Sequence, residues 1–212
     1  MYKKTCILLV IIGVVSLAAP PESILLPKPT TQGGEPLMEA LNERKSGREF
    51  SSEKLSLQVL SNLLWAAFGV NRPDGRGTAP SAANRQVIDI YAVLGEGAYL
   101  YDAKAHRLQP VVAGDWRAAT GTQGFVAEAP LSLVYVADYS KMAKVSDADK
   151  VFYSAADTGF IGQNVYLFCA SEGLATVVRA SLNREALAKT LQLGPDQSIA
   201  LAQSVGYPKR SE

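Results

Sequence analysis

Apolar positions along the chain alternate between helical and strand-like periods. Leu37, Met38 and Leu41 recur at helical spacing behind Pro36, a residue that favours a helix start. Leu60, Leu63, Leu64, Ala67 and Phe68 make one broad apolar face, with Ser51, Ser52 or Ser56 as the cap and Gly69 past the end. Trp65 on that helix reads as core or interface, and residues 71–77 as a turn. Residues 87–94 are rich in β-branched and aromatic side chains and predict a strand, turned by Gly95-Glu-Gly97. Residues 99–102 and 107–112 predict a hairpin with His106 exposed at its tip. Residues 129–137 are strongly apolar and predict a central strand.

Residues 149–173 read as one long helix, with Asp149 as cap and Gly173 as stop. Its apolar residues run nearly all round, which predicts burial. Ala155, Ala156, Gly159 and Gly162 are small and spaced to admit a second helix. Gln163 and Asn164 need polar partners there, and Cys169 reads as a packed core thiol. Residues 174–181 predict a strand. Asn183 caps a short helix over 184–191, a turn follows at 193–196, and residues 198–205 predict the last strand. Gly206-Tyr-Pro-Lys-Arg210 closes the pattern.

The N-terminus stands apart. Lys3 and Lys4 precede a 14-residue apolar run, 6–19, shorter than the roughly 20 residues that span a bilayer. Ser16-Leu-Ala18 offers small residues to a signal peptidase, so cleavage after Ala18 and export are expected, a retained anchor being the alternative. Residues 1–18 carry two lysines and no acid, so their removal takes the formal net charge from +1 to −1. Residues 19–35 are Pro-, Gly- and Thr-rich and read as an extended arm. Residues 36–212 form the folded domain.

Composition narrows the chemistry. Lysine plus arginine is 21 against 20 acids, which gives no electrostatic case for nucleic acid. Two cysteines, Cys6 and Cys169, exclude a disulfide framework. One histidine excludes multi-His metal sites, so no metal is expected. The chemistry is carried by an organic cofactor or by none, and no side chain is assigned as catalytic.

Two stretches are suited to holding a cofactor. Arg44-Lys45-Ser46-Gly47-Arg48 places three cations and a hydroxyl within five residues, a set that can surround a phosphate. Its bland alternative is a solvated basic helix end. Pro80-Ser81-Ala82-Ala83-Asn84-Arg85-Gln86 combines a stiff start, small residues and two amides. That pattern fits the edge of a flat heteroaromatic ring alternating C=O and N–H. Here the alternative is an ordinary loop that caps its neighbours.

Four stretches in order resemble the nitroreductase-like family of FMN-dependent oxidoreductases. They are Arg44-x-Ser46-x-Arg48, then Pro80-Ser81-Ala82-x-Asn84-x-Gln86, then Asp157-x-Gly159-x-x-x-Gln163-Asn164 with Gly173-Leu174, and finally Gly206-Tyr207-Pro208. The helix around Leu63–Gly69 and the hairpin around His106 resemble the branch related to thiazole- and oxazole-forming peptide dehydrogenases. The resemblance implies an α+β fold, an antiparallel-rich mixed sheet wrapped by helices. It also implies a homodimer with FMN at the subunit interface and helix 149–172 in the dimer core. It assigns Arg44, Lys45, Ser46 and Lys209 (or Arg210) to the FMN phosphate end and Arg48 to the ring's N1–O2 side. Pro80, Ser81, Ala82, Asn84 and Gln86 would line the isoalloxazine. A backbone N–H from Arg179, Ala180 or Ser181 would face flavin N5, where many members have Glu-Gly. The implied activity is electron transfer from NAD(P)H to a small acceptor. A peptide azoline dehydrogenase, a flavin-binding protein without turnover and a cofactor-free structural dimer are the alternatives.

Overall fold

The computed structural model describes residues 22–209. The expected leader, Cys6 and Arg210 lie outside these residues. The elements run β1 (Ile24–Leu25), α1 (Leu37–Glu43), α2 (Leu57–Phe68), β2 (Ile88–Val93), β3 (Gly97–Asp102), β4 (Arg107–Ala113), β5 (Leu131–Asp138), α3 (Asp147–Ser171), β6 (Ala175–Arg179), α4 (Arg184–Thr190) and β7 (Gln197–Gly206). Seven strands form one sheet in the order β1-β4-β3-β2-β5-β7-β6. Every pairing among the described strands is antiparallel, so the expected mixed sheet is antiparallel throughout. The fold is α+β, as expected.

Strand β5 shows why its sequence is apolar without alternation. Leu131, Leu133, Tyr135 and Ala137 face the core built with α2 and α3. Val134 and Val136 face the opposite core, with Leu187 and Leu191 from α4. Both faces are covered, so both residue parities are apolar.

The arm is extended but docked. Ile24 and Leu25 pair with Leu108 and Arg107 at the sheet edge. The Leu26 N–H donates to the His106 carbonyl, and the Leu26 side chain is buried. His106 is accordingly half-buried, not exposed. Its backbone has φ 48°, and its ring bridges Ser61 Oγ at 2.7 Å and Tyr101 Oη at 2.9 Å. Ser61 Oγ donates in turn to the Pro27 carbonyl at 2.6 Å. One ring thereby fastens the arm, α2 and the hairpin.

Helix α3 starts two residues before its expected first residue. Ser146 is the cap: its Oγ accepts from the Asp149 N–H and donates to the Asp149 carboxylate. Asp149 is thus the third helical residue of a reciprocal cap instead of the cap itself. Gly173, at φ 65°, lies just beyond the last turn. Ser56 caps α2 and Asn183 caps α4. Asn164 finds its partner in the Ala66 carbonyl near the end of α2.

The small residues of α3 divide into two groups. Gly162 faces its own sheet: a Cβ there would lie 3.5 Å from Gln203 Oε1 and 3.9 Å from Val178 Cγ2. It admits β6 and β7 of the same chain, not a second helix. Gly159 has open space beside it. Val151, Phe152 and Phe160 are 59, 67 and 48% exposed, so one flank of α3 is left uncovered by this chain.

Candidate functional site

The basic segment leaves α1 at Arg44 and runs beside β6. The Gly47 N–H donates to the Thr176 carbonyl, and a Cβ on Gly47 would come within 3.1 Å of Ala175 Cβ. Glycine is therefore what lets the segment lie against the strand. At the far end of the chain, the Lys209 N–H donates to the Glu49 carbonyl, and Phe50 bridges Pro208. These contacts bring Arg44, Lys45, Gly47, Arg48 and Lys209 to one cleft of about 920 Å³, lined also by Gly173, Leu174, Ala175 and Thr176, whereas Ser46 is not among its lining residues and joins it only through Tyr166. Arg44, Lys45, Arg48 and Lys209 line it, together with Glu43 and Glu49. None of these four cations makes an ion pair among the described residues. Four unpaired cations around a small-residue floor fit an anionic ligand such as a phosphate monoester. Cys169 also lines the cleft, but burial pushes its thiol pKa far up, so it is no nucleophile.

Ser46 is held by Tyr166, a residue the sequence reading did not select. Their hydroxyls lie 2.8 Å apart, and Tyr166 Oη also accepts from the Val178 N–H at 3.0 Å. The Arg44 guanidinium carbon stands 5.3 Å from the Tyr166 ring centroid. No spacing signal could have found this tyrosine, because 120 residues separate it from Ser46.

The loop of Pro80 to Gln86 is anchored on α3 instead. Ser81 Oγ donates to Asp157 Oδ2 at 2.7 Å, and the Ala82 N–H donates to Asp157 Oδ1 at 3.1 Å. Ser81 Oγ accepts from the Gln86 N–H, and Gln86 Nε2 donates to the Gly75 carbonyl and to Asn84 Oδ1. Ala83, Asn84 and Gln86 all have positive φ, 51°, 52° and 49°. Three such residues in a row of four are held only because the anchors fix both ends. Pro80 and Asn84 are exposed, whereas Ser81, Ala82 and Gln86 are half-buried.

Two half-sites result. The loop is tied to α3 at Asp157, while the cleft is lined by Tyr166, Cys169 and Ala170 of the same helix. At roughly 1.5 Å per residue, Tyr166 and Ala170 lie about 14 and 20 Å from Asp157 along the axis. No residue of the loop lines the cleft.

The third group divides as well. The Arg179 side chain is buried and donates to the Thr120 carbonyl, Thr120 Oγ1 and Ser132 Oγ. It meets no carboxylate, and desolvation lowers its pKa to about 10. Its guanidinium is thus fixed in the core, and only its backbone is left for a ligand. Ala180 and Ser181 are exposed, with Ser181 Oγ 2.7 Å from Thr122 Oγ1.

The antiparallel sheet, the long α3 and the basic cleft at the meeting of residues 44–48 with 206–209 define a class. The Nitroreductase family profile matches residues 41–207, and the chain belongs to that family, a family of oxidoreductases. A nitroreductase homologue from Ralstonia eutropha JMP134 superposes with a TM-score of 0.87 and 43% identity, over 92% of this chain and 93% of its own. The Escherichia coli microcin synthetase McbBCD complex, solved with truncated pro-MccB17, contains a chain matching at TM-score 0.71 and 22% identity, over 88% and 78%. The NADPH:FMN oxidoreductase of Vibrio harveyi, solved with NAD+, matches at TM-score 0.62 and 21% identity, over 82% and 69%. The last two are likenesses of fold. Among the described residues, no helix is long and apolar enough to cross a membrane, and no three His, Cys, Asp or Glu cluster as metal ligands.

Proposed function

We propose that this protein is an FMN-dependent oxidoreductase that works as a homodimer, with NAD(P)H as donor and a small molecule as acceptor. The observation that carries the reading is the cleft whose four cations lack acidic partners in ion pairs, on a chain that also holds a strained loop of amides and small residues. Its phosphate would be held by Arg44, Lys45, Ser46 and Lys209, with Arg48 toward the ring's N1–O2 side. The ring would lie against Pro80, Ser81, Ala82, Asn84 and Gln86 of the second copy, since within one copy none of these lines the cleft. The uncovered flank of α3, with Val151, Phe152 and Phe160 exposed, supports a second copy there. When bound, FMN supplies two-electron redox chemistry between donor and acceptor. The chain's own task is binding and orientation, and the Arg48 cation favours the negatively charged form of the ring. The Arg179–Ser181 backbone would place an N–H toward N5.

The test is the purified protein's absorbance spectrum with its mass in solution. A yellow dimer, bleached anaerobically by NADH or NADPH, is expected. A colourless protein that takes up no added FMN would end the reading. A yellow protein that neither nicotinamide reduces would favour the flavin-binding alternative. The peptide azoline dehydrogenase alternative keeps only the branch resemblance of the Leu63–Gly69 helix and the His106 hairpin, since the microcin synthetase likeness is one of fold.

We also infer export, from Lys3, Lys4 and the apolar run that ends at Ser16-Leu-Ala18. N-terminal sequencing of the mature protein should then begin at Ala19.

A further inference from the structure

We infer that Tyr166 is a positioning residue that sets the phosphate selectivity of the cleft, orienting Ser46 with its hydroxyl and Arg44 with its ring. The inference rests on the FMN reading above.

The hydroxyl does its part through a chain of donors. The Val178 N–H donates to Tyr166 Oη at 3.0 Å, which pins the phenol to strand β6. Either hydroxyl can donate across the 2.8 Å between them; with the Val178 N–H already aimed at Tyr166 Oη, donation from the phenol to Ser46 Oγ is the direction we assign. Ser46 then keeps its own proton for an anion's oxygen. Without Tyr166, an exposed serine hydroxyl on a surface segment would rotate freely and lose that preference.

The ring acts on a different partner. Arg44 is half-buried, and its guanidinium sits over the aromatic face at 5.3 Å. A cation over a π face is attracted to the ring quadrupole, and the flat fork stacks on it. The stack restricts a side chain that otherwise samples many rotamers. Because no carboxylate occupies Arg44, its donors stay available to an incoming anion. Tyr166 thus converts two adjacent, mobile ligands into a fixed pair. It does so from α3, the helix that also holds the ring-edge loop through Asp157.

The mechanism makes a prediction that core packing alone does not. Loss of Tyr166 should weaken ligands that carry a phosphate and spare those that lack one. The probes are FMN, riboflavin (the same ring without phosphate) and inorganic pyrophosphate, titrated into wild type, Tyr166→Phe, Tyr166→Leu, Ser46→Ala and Ser46→Ala/Tyr166→Phe. Tyr166→Phe keeps the ring, so we expect about a five- to tenfold rise in the Kd of FMN and pyrophosphate, the size of one hydrogen bond between neutral groups. The riboflavin Kd should move less than twofold. Tyr166→Leu removes the stack as well, and should weaken the phosphate ligands further. In the Ser46→Ala background, Tyr166→Phe should add almost nothing, since its effect passes through Ser46.

Equal weakening of FMN and riboflavin would overturn the inference, as would an unchanged FMN Kd in Tyr166→Phe or full additivity of the double variant. A wild type that binds pyrophosphate but not FMN, with the loss in Tyr166→Phe intact, keeps the inference and sinks the flavin reading alone. Binding of neither probe sinks both.

Discussion

Ser81 Oγ donates to Asp157 Oδ2 across 2.7 Å, and that contact ties the ring-edge loop to the middle of the longest helix. Asp157 is only 3% exposed, and its two oxygens accept from Ser81 Oγ and the Ala82 N–H. Replacing Asp157 by alanine leaves both donors without a partner. We expect a loss of about 1–3 kcal/mol in denaturant unfolding, with faster amide exchange confined to residues 80–86. Asp157→Asn should lose less, because its carbonyl still accepts one bond. Full stability in the alanine variant would show that other contacts hold the loop.

Asn84 has a conformational role, and on the FMN reading a functional one beside it. It has φ 52°, a region costly for alanine, and its Oδ1 accepts from Gln86 Nε2. Asn84→Ala should therefore cost about 1 kcal/mol in stability whatever its contact with a flavin. Asn84→Gly removes the side chain without the backbone cost and is the cleaner probe. On the FMN reading, this variant stays yellow, has a lower reduction potential and turns over more slowly. A potential equal to wild type would make Asn84 a loop residue only.

Arg44→Ala should weaken FMN binding by about 1.5–3 kcal/mol, or roughly ten- to a hundredfold in Kd. Lysine should restore only part of this, because it lacks the planar fork that stacks on Tyr166. Calorimetric titration of the apoprotein reads both variants. Unchanged affinity in the alanine variant would make Arg44 a surface residue.

The pH dependence of stability should carry a signature of His106. Burial is the main cause lowering its pKa below 6.5, although the nearby Pro27 carbonyl opposes that shift. Burial pushes the Tyr101 phenol up, so Tyr101 remains a proton donor to the ring. The unfolded chain then binds a proton at His106 before the folded one does. Stability should be full above about pH 6.5 and fall as the pH drops from there through the lowered folded value. His106→Gln should flatten this slope. Limited proteolysis of the arm around Pro27 should accelerate over the same range in wild type. A slope identical in the two proteins would remove His106 as its source.

Gly162 and the exposed aromatics of α3 separate folding from assembly. Gly162→Leu should overpack Gln203 and Val178 and cost about 1–3 kcal/mol within the chain. Phe152→Glu with Phe160→Glu should leave the fold intact, since both side chains are exposed here, and yield a monomer with weakened FMN binding. Light scattering and far-UV dichroism on one preparation read the two effects. A dimer that survives both charges would move the interface elsewhere.

The elements of the fold were legible because they depend on local order. Apolar periodicity located α1 and α2, Asn183 and Gly173 marked ends of α4 and α3, and two-sided burial explains why β5 reads as one apolar run. The resemblance of four short stretches placed the chain in its family, because those stretches keep their order along the sequence. Contacts between distant segments were not legible. Which face of α3 meets the sheet decides that Gly162 packs against Gln203 while Gly159 stays open, and helical period alone does not distinguish them. His106 looked exposed because a hairpin tip usually is, but the arm folds back over it. Tyr166 carried no signal, since its role exists only once α3 lies beside residues 44–48. The sequence orders the parts along one dimension. Only the folded chain decides which of them share a cleft, and it fastens the cation cradle and the loop of Pro80 to Gln86 to different stretches of one helix, at Tyr166 and at Asp157.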